Sequence, residues 1–426
     1  MSLYRNITLL MCLGITWLLG GAAAQAGSDP ISMDAIALGQ RWPSKDPLAT
    51  AKINLSDIIS SESMFEFRTF DPEGLVFYGD TQDGWFVLGL RGGVPEMQMT
   101  EGDAISYTWG GPRLNDGQWH KVEVRSEGSF VKLEVDGSLA LMVGLNSLGA
   151  PGRSHLRGQM RLSLGAMLIE QEKLYHPLVL PMDGCLAKGN WLNQRNLWET
   201  DTKLDAKLCL GNIRRGSHFS GRGLVVFNTS DSHSLPLPPL PAHLSTQGDI
   251  IVEIEGDGDI KGLTGSLLNI QTRKGESLVT VISKEEELVA HLGAEVHALP
   301  VDSSVETLTL MFSEQKVLVQ YGPKSVHFDL KHPQDWRSQW TEGLFLTFGG
   351  VPDPSYQRGS DYLLGCVRRI KVQDRDVDLD RALYKDNSIS SHSCPHLTAK
   401  TRLMERSDWR RRAARGALSS ISDARR

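Results

Sequence analysis

Apolar and polar residues alternate along much of this chain, and the spacing of a helical face is rare. Met64-Phe65-Glu66-Phe67-Arg68 alternates, and Lys121-Val122-Glu123-Val124-Arg125 does so with both valines on one face. Val131-Lys132-Leu133-Glu134-Val135 repeats the pattern and stops at Asp136-Gly137, a tight hairpin signal. A period of two puts neighbouring side chains on opposite faces of a strand, and Asp-Gly closes two strands into a hairpin. The second half predicts further strands at 224–227, 250–254, 267–271, 278–282, 307–312, 317–321, 326–330, 344–348 and 367–372. Strands at intervals of roughly 8–12 residues, each with one apolar face to bury, build β-sandwiches. The predicted fold class is all-β, with antiparallel sandwiches.

The pattern occurs twice. Arg161-Leu162-Ser163-Leu164-Gly165 is followed by Gly184-Cys185 and then Cys209. Phe345-Leu346-Thr347-Phe348-Gly349-Gly350 is followed by Gly365-Cys366 and then Cys394. The two Gly-Cys steps lie 181 residues apart, which implies a duplicated unit. The expected organisation is a signal peptide at 1–26, a flexible leader at 27–50, sandwiches at 51–212 and 213–398, and a basic tail at 399–426. The proline-rich stretch at 235–241 cannot be a central strand, because proline donates no ladder hydrogen bond. Asp257-Gly258-Asp259 fails as a calcium loop, since Lys261 and Leu268 fall where ligands are needed. It is read as a hairpin turn.

Composition narrows the class. Arg5 precedes an apolar run from Leu9 to Leu19 and a small-residue stretch, Ala22 to Ala26. That is the layout of a secretory signal, and the run is too short to span a bilayer. With Cys12 in that segment, four cysteines remain: Cys185, Cys209, Cys366 and Cys394. In an oxidising compartment an even count means disulfides. Three connectivities are open, and the similar separations favour Cys185–Cys209 and Cys366–Cys394. Asn54 and Asn228 head N-x-[ST] acceptor sequences for glycans; Asn6 heads a third, inside the signal. The tail holds Arg410-Arg411-Arg412, which leaves the remaining body strongly acidic within an overall net charge of −6. An acidic body argues against nucleic acid as a partner. No catalytic motif is present, so an enzyme is not expected.

One stretch is more specific. It runs Phe65-Glu66-Phe67-Arg68-Thr69-Phe70-Asp71-Pro72-Glu73-Gly74-Leu75-Val76-Phe77-Tyr78-Gly79-Asp80. Then follow Trp85-Phe86-Val87-Leu88-Gly89-Leu90, Gly111-Pro112-Arg113-Leu114-Asn115-Asp116-Gly117-Gln118-Trp119-His120 and Met182-Asp183-Gly184-Cys185. These residues resemble laminin-G domains and, more narrowly, the sex hormone-binding globulin family of steroid carriers, over residues from about 50 to 398. The resemblance implies two laminin G-like, jelly-roll type sandwiches in tandem, and a steroid slot between the sheets of the first. Ser63 aligns with the serine that hydrogen-bonds the A-ring oxygen, and a hydroxyl can serve a ketone or a phenol. Phe86 and Met160 align with apolar pocket walls.

At the other end of the slot the pattern changes. The family's aspartate position is Gly84, with Asp83 one place earlier, and the asparagine position holds Glu101. Ser126 replaces a family methionine. The resemblance also implies calcium on Asp71 and Glu73 with a backbone carbonyl near Pro181, hard oxygen donors that suit that ion. The family's zinc site is not retained, because Gly102 and Arg157 stand at its positions beside His155. A homodimer formed through the first sandwich is implied. The alternative reading is a calcium-dependent adhesion or receptor-binding protein, with a cell-surface or matrix partner and no small ligand.

Overall fold

The computed structural model describes residues 35–38, 47–54, 62–82, 84–101, 103–127, 130–144, 158–190, 199–200, 209, 211–231, 235, 249–258, 260–284, 286–302, 304–353 and 359–396. The signal and tail expected at 1–26 and 399–426 lie outside them.

The first sandwich has strands β1 (Ile36–Ala37), β2 (Ala49–Asn54), β3 (Glu62–Thr69), β4 (Gly74–Asp80), β5 (Trp85–Arg91), β6 (Val94–Glu101), β7 (Ala104–Trp109), β8 (His120–Glu127), β9 (Phe130–Val135), β10 (Ser138–Gly144), β11 (Gln159–Leu164), β12 (Gly184–Asn190) and β13 (Glu199–Thr200). One sheet runs β1-β12-β3-β8-β9-β10 and the other β13-β2-β11-β4-β5-β6-β7. The pairings of both sheets are antiparallel. Asp136 and Gly137 both take positive φ, 51° and 79°, which matches the right-handed twist of the β9–β10 hairpin they close.

Period-two alternation sends Ser63, Phe65 and Phe67 to one face of β3, and all three are buried. Phe65, Phe67, Leu88, Leu90, Val122, Leu133, Leu162 and Leu164 belong to one core between the sheets. Strand β4 is buried on both faces. Its outer face, with Leu75 and Tyr78, packs with Val87 under Met167, Leu174 and Leu178. Gln98 pins that cover: its Oε1 accepts from the amides of Tyr175 at 2.9 Å and His176 at 3.2 Å, and its Nε2 donates to the His176 carbonyl at 2.8 Å.

The second sandwich repeats the plan. One sheet holds Ser217–Ser220, Leu364–Val372, Ile250–Gly256, Thr307–Phe312, Lys316–Tyr321 and Lys324–Asp329. The other holds Glu295–Pro300, Glu287–Leu292, Ser277–Ser283, Gly265–Gln271, Phe345–Phe348, Val225–Asn228 and Tyr384–Lys385. Leu235 of the proline-rich stretch is buried in this core; positions 236–241 lie outside the described residues. Disulfides Cys185–Cys209 and Cys366–Cys394 form as expected, each with Cα atoms 6.0 Å apart.

Three local expectations are corrected. The leader expected at 27–50 contributes structure. Ile36–Ala37 pairs with β12 and Ala49–Thr50 opens β2, with Ala37, Leu38, Leu48 and Ala49 buried. These short apolar groups are too few to show a period, yet they close sheet edges. Asp257-Gly258 is not a hairpin, because Ile250–Gly256 and Gly265–Gln271 belong to different sheets and the segment crosses between them. A helix, Trp336–Gly343, is present. Asp335 caps it by accepting from the Ser338 amide at 2.9 Å, and Trp336 and Trp340 are buried one turn apart. Eight residues give a single i,i+4 pair, too little to register as helical periodicity.

Phe67→Ala is expected to lower the unfolding free energy by about 3–5 kcal/mol, read by denaturant titration. Leu139→Ala, at a position 59% exposed, should stay within about 0.5 kcal/mol.

Candidate functional site

The core of the first sandwich is tight at its centre and looser at one end. Phe65, Phe67 and Leu133 are wholly buried, whereas Phe86, Met99, Val124, Val131 and Met160 pack on the same layer while only partly covered. Ser63 sits on the inner face of β3, two residues before Phe65, and is 6% exposed. It pairs with Val124 across to β8. Met160 pairs with Ile53, and Phe86 stands between Gly79 and Met99 on the facing sheet. The rings of Phe86 and Phe77 are 6.0 Å apart. The structure therefore turns Ser63, Phe86 and Met160 towards one interlayer: a hydroxyl on one wall, an aromatic ring and a thioether on the other.

Asp83 and the side chain of Glu101 lie outside the described residues, as do Gly102, His155, Arg157 and the side chain of Ser126. Between the sheets is a cavity of about 10 Å³ lined by Phe65, Phe67, Val76, Leu88, Leu90, Pro95, Leu114, Val122 and Leu133. That volume accommodates one water at most, and its apolar lining would keep it dry. The centre of the interlayer is closed in this conformation.

The acidic turn, by contrast, meets the second sandwich. Asp71 is fully buried. Its Oδ1 accepts from the Glu73 amide at 3.0 Å and its Oδ2 from the Asp183 amide at 2.9 Å. Thr69 Oγ1 donates to the Asp183 carbonyl at 2.6 Å and accepts from the Asp71 amide at 2.7 Å. Gly74 has φ +155°, and a Cβ there would come 2.6 Å from the Pro181 carbonyl oxygen. A side chain at that position would force apart the turn and the Pro181–Asp183 segment.

From the second sandwich, Arg381 Nη2 donates to Glu73 Oε2 at 2.7 Å and the His392 amide to Asp183 Oδ2 at 2.8 Å. His392 Nε2 stands 3.4 Å from Asp71 Oδ1. Across the seam Arg381 faces Glu73, and Asp71 is faced by His392 together with the Asp380 carboxylate, whose oxygen lies within 4.8 Å of it. Arg381 takes up Glu73 Oε2, so a calcium ion held by both Asp71 and Glu73 would use the other Glu73 oxygen or displace Arg381.

Sequence reasoning missed this seam. Lys385 and Asp380 are both 2% exposed in their side chains and 3.1 Å apart. Ser391 Oγ also donates to Asp380 Oδ1 at 2.7 Å. Burial alone would raise the Asp380 pKa, but Lys385 and His392 hold it well below the usual carboxylate range. Burial opposes charge on His392, yet Asp71, Asp378 and Asp380 lift its pKa well above the imidazole range. Burial, and then Asp380 and Asp378, push the Asp71 carboxyl up despite His392. The sequence does carry one signal there, the alternating aspartates at Asp374, Asp376, Asp378 and Asp380, but alternation alone does not say what faces them.

Known proteins bear on these features. A family model for the Laminin G domain matches residues 67–197. Sex hormone-binding globulin of Rattus norvegicus is 32% identical over 360 residues, covering 83% of this chain and 85% of that protein. The chain belongs to the sex hormone-binding globulin family. The Homo sapiens globulin is 30% identical over 357 residues, covering 83% of this chain and 85% of its own length. Domains LG4-5 of the mouse laminin α1 chain superpose with a TM-score of 0.58 at 18% identity. That match covers 87% of this chain and 96% of the laminin fragment, and it supports the tandem laminin-G fold. Among the described residues no helix is long and apolar enough to cross a membrane.

Removing one partner of a buried ion pair strands the other charge. Lys385→Met should therefore cost about 3–5 kcal/mol. Arg381→Ala breaks a more exposed pair and should cost about 1 kcal/mol or less. Chemical denaturation of both variants checks the contrast.

Proposed function

We propose that this chain is an extracellular steroid carrier that takes androgens or oestrogens between the two sheets of its first sandwich. The observation that carries the reading is membership of the sex hormone-binding globulin family together with a hydroxyl, Ser63, on an otherwise apolar inner face. Ser63 anchors the A-ring oxygen, and Phe86 and Met160 pack on the ring system. Asp83 or Glu101 accepts from a hydroxyl at the far end. A carboxylate there stays inexpensive only if it is hydrated or paired.

Burial of ~300 Å² of steroid at ~25 cal/mol/Å² supplies about 7 kcal/mol. Nanomolar binding needs about 12 kcal/mol, so close packing and both polar ends must contribute the rest. Because the centre of the interlayer is closed, steroid enters at the looser end, where side chains swing aside.

The rest of the proposal follows the same family. The protein is secreted after loss of residues 1–26 and carries glycans at Asn54 and Asn228. Asn54 is exposed at the end of β2. The Asn228 amide oxygen accepts from the Ser230 amide at 3.1 Å and from its hydroxyl at 2.9 Å. Calcium on Asp71, Glu73 and the Pro181 carbonyl is structural and shares Glu73 with Arg381 or displaces it. Homodimers form through the first sandwich, where Ile105 and Trp109 on the outermost strand β7 are 48% and 59% exposed. Exposed apolar edges of this kind are resolved by pairing. The alternative, a laminin-G adhesion protein with a matrix or cell-surface partner and no small ligand, is favoured by one observation, the closed centre of the interlayer.

Saturation binding of tritiated androgen or oestradiol to the secreted protein separates the two readings. Displaceable binding is expected, and Ser63→Ala should weaken it by about 1–2 kcal/mol. Absence of displaceable binding below micromolar steroid would sink the carrier. Trp109→Glu is expected to turn the dimer into a monomer in sedimentation velocity.

A further inference from the structure

Three Ser-x-Glu triplets occur in the chain: Ser60-Ser61-Glu62, Ser283-Lys284-Glu285 and Ser304-Val305-Glu306. A serine with a carboxylate two places on suits an acidophilic serine kinase, whose basic subsite pairs with the acidic side chain, and charge patterns of this kind set kinase–substrate choice. The fold separates the three. Ser283 is 1% exposed and its hydroxyl donates to the Leu263 carbonyl at 2.9 Å, so no kinase reaches it in the folded chain. Ser60 and Ser61 lie outside the described residues. Ser304 is exposed in the turn before Thr307–Phe312 of the second sandwich.

Val305 sets the geometry of that turn. It packs on the second core, and a Cβ on Gly322 would come 2.7 Å from Val305 Cγ2, so bare backbone is what receives it. Successive side chains of an extended segment point to opposite sides. With Val305 turned inward, Ser304 and Glu306 are both exposed, and both line an open cleft of about 370 Å³ beside Thr307, Thr309 and Gln320. Asp302 Oδ1 accepts from the Ser304 amide and from its hydroxyl, each at 2.9 Å. Tyr321 anchors Asp302 in turn, its hydroxyl donating to the Asp302 carbonyl at 2.5 Å. Glu306 Oε2 accepts from Arg368 Nη2 at 2.7 Å, with both side chains nearly half exposed. Surface pairs of this kind are weakly held, so the Glu306 carboxylate remains open to a second cation.

We infer that Ser304 is a phosphorylation site for an acidophilic serine kinase of the secretory pathway, and that Glu306 is the residue the kinase reads. That site requires the secreted state proposed above. Ser304 Oγ attacks the γ-phosphorus of ATP, the bond from that phosphorus to the β,γ-bridging oxygen breaks, ADP leaves, and the hydroxyl proton passes to the kinase's base. The phosphate brings about −1.5 to −2 charge next to Asp302 and Glu306. The hydroxyl can then no longer donate to Asp302, and the turn loosens. Arg368 offsets part of the repulsion through its contact with Glu306.

The test expresses the full chain in secreting cells together with an acidophilic serine kinase of the secretory pathway, and reads the secreted chain by peptide mass spectrometry. One phosphoryl group on Ser304 is expected, removable by phosphatase and absent from Ser304→Ala. Glu306→Gln should lower occupancy of Ser304 about tenfold or more, as loss of a charged contact to the kinase implies. Phosphate missing from Ser304 of the secreted chain, or present to the same extent in Glu306→Gln, overturns the assignment. A chain retained in the cells contradicts the secreted reading instead. The purified full chain incubated with the same kinase and ATP then gives the same readout at Ser304, so the two failures are told apart.

Discussion

Two sheets sharing one apolar layer constrain nearly everything else in the first sandwich. Each strand sends every second side chain into that layer, so its spacing is set by what fills it. Interiors of this kind are close-packed. A flat ligand can therefore enter only by taking the place of side chains, and the proposal puts it where the packing is least complete. Phe65, Phe67 and Leu133 leave nothing exposed, while Phe86, Met99, Val124, Val131 and Met160 are partly covered. The residues that the family resemblance singles out, Ser63, Phe86 and Met160, cluster with this looser set rather than with the closed centre. The steroid reading is thus a statement about which end of a sandwich core can yield.

Much of the fold was legible because strand periodicity is a local signal. The alternations at Met64–Arg68, Lys121–Arg125 and Val131–Val135 each became a strand, and Asp136-Gly137 closed the hairpin it announced. What stayed hidden has little local signature. Ile36–Ala37 is a two-residue strand whose assignment comes from its pairing with β12. The helix at Trp336–Gly343 is too short to show a face, and Asp257-Gly258 resembles a hairpin turn until its flanking strands are assigned to separate sheets. Ser63, Phe86 and Met160 came from the family resemblance, and strand parity turns all three towards the interlayer; their contact with a steroid is part of the proposal.

The seam was the least legible part, for a physical reason. Arg381 and Glu73 are separated by 308 positions, and no periodicity links them. In the sequence, Asp71 and Glu73 look like a free acidic turn open to calcium. In the structure the turn is roofed by Arg381 and His392, and its electrostatics belong to both sandwiches. Two sandwiches of the same descent thus differ in task. The first offers the apolar layer, and the second supplies Arg381 and His392, themselves flanked by Asp378 and Asp380, to hold the acidic turn of the first in place.

The central claim is that a steroid occupies the looser end of the first interlayer. Hydrogen–deuterium exchange of the secreted chain, with and without saturating oestradiol, tests it most directly, since ligand that binds only the folded form slows local opening. Protection is expected to rise in Glu62–Thr69, Trp85–Arg91 and Gln159–Leu164, with the second sandwich unchanged. Protection confined to the second sandwich, or no change anywhere at saturating steroid, would contradict it.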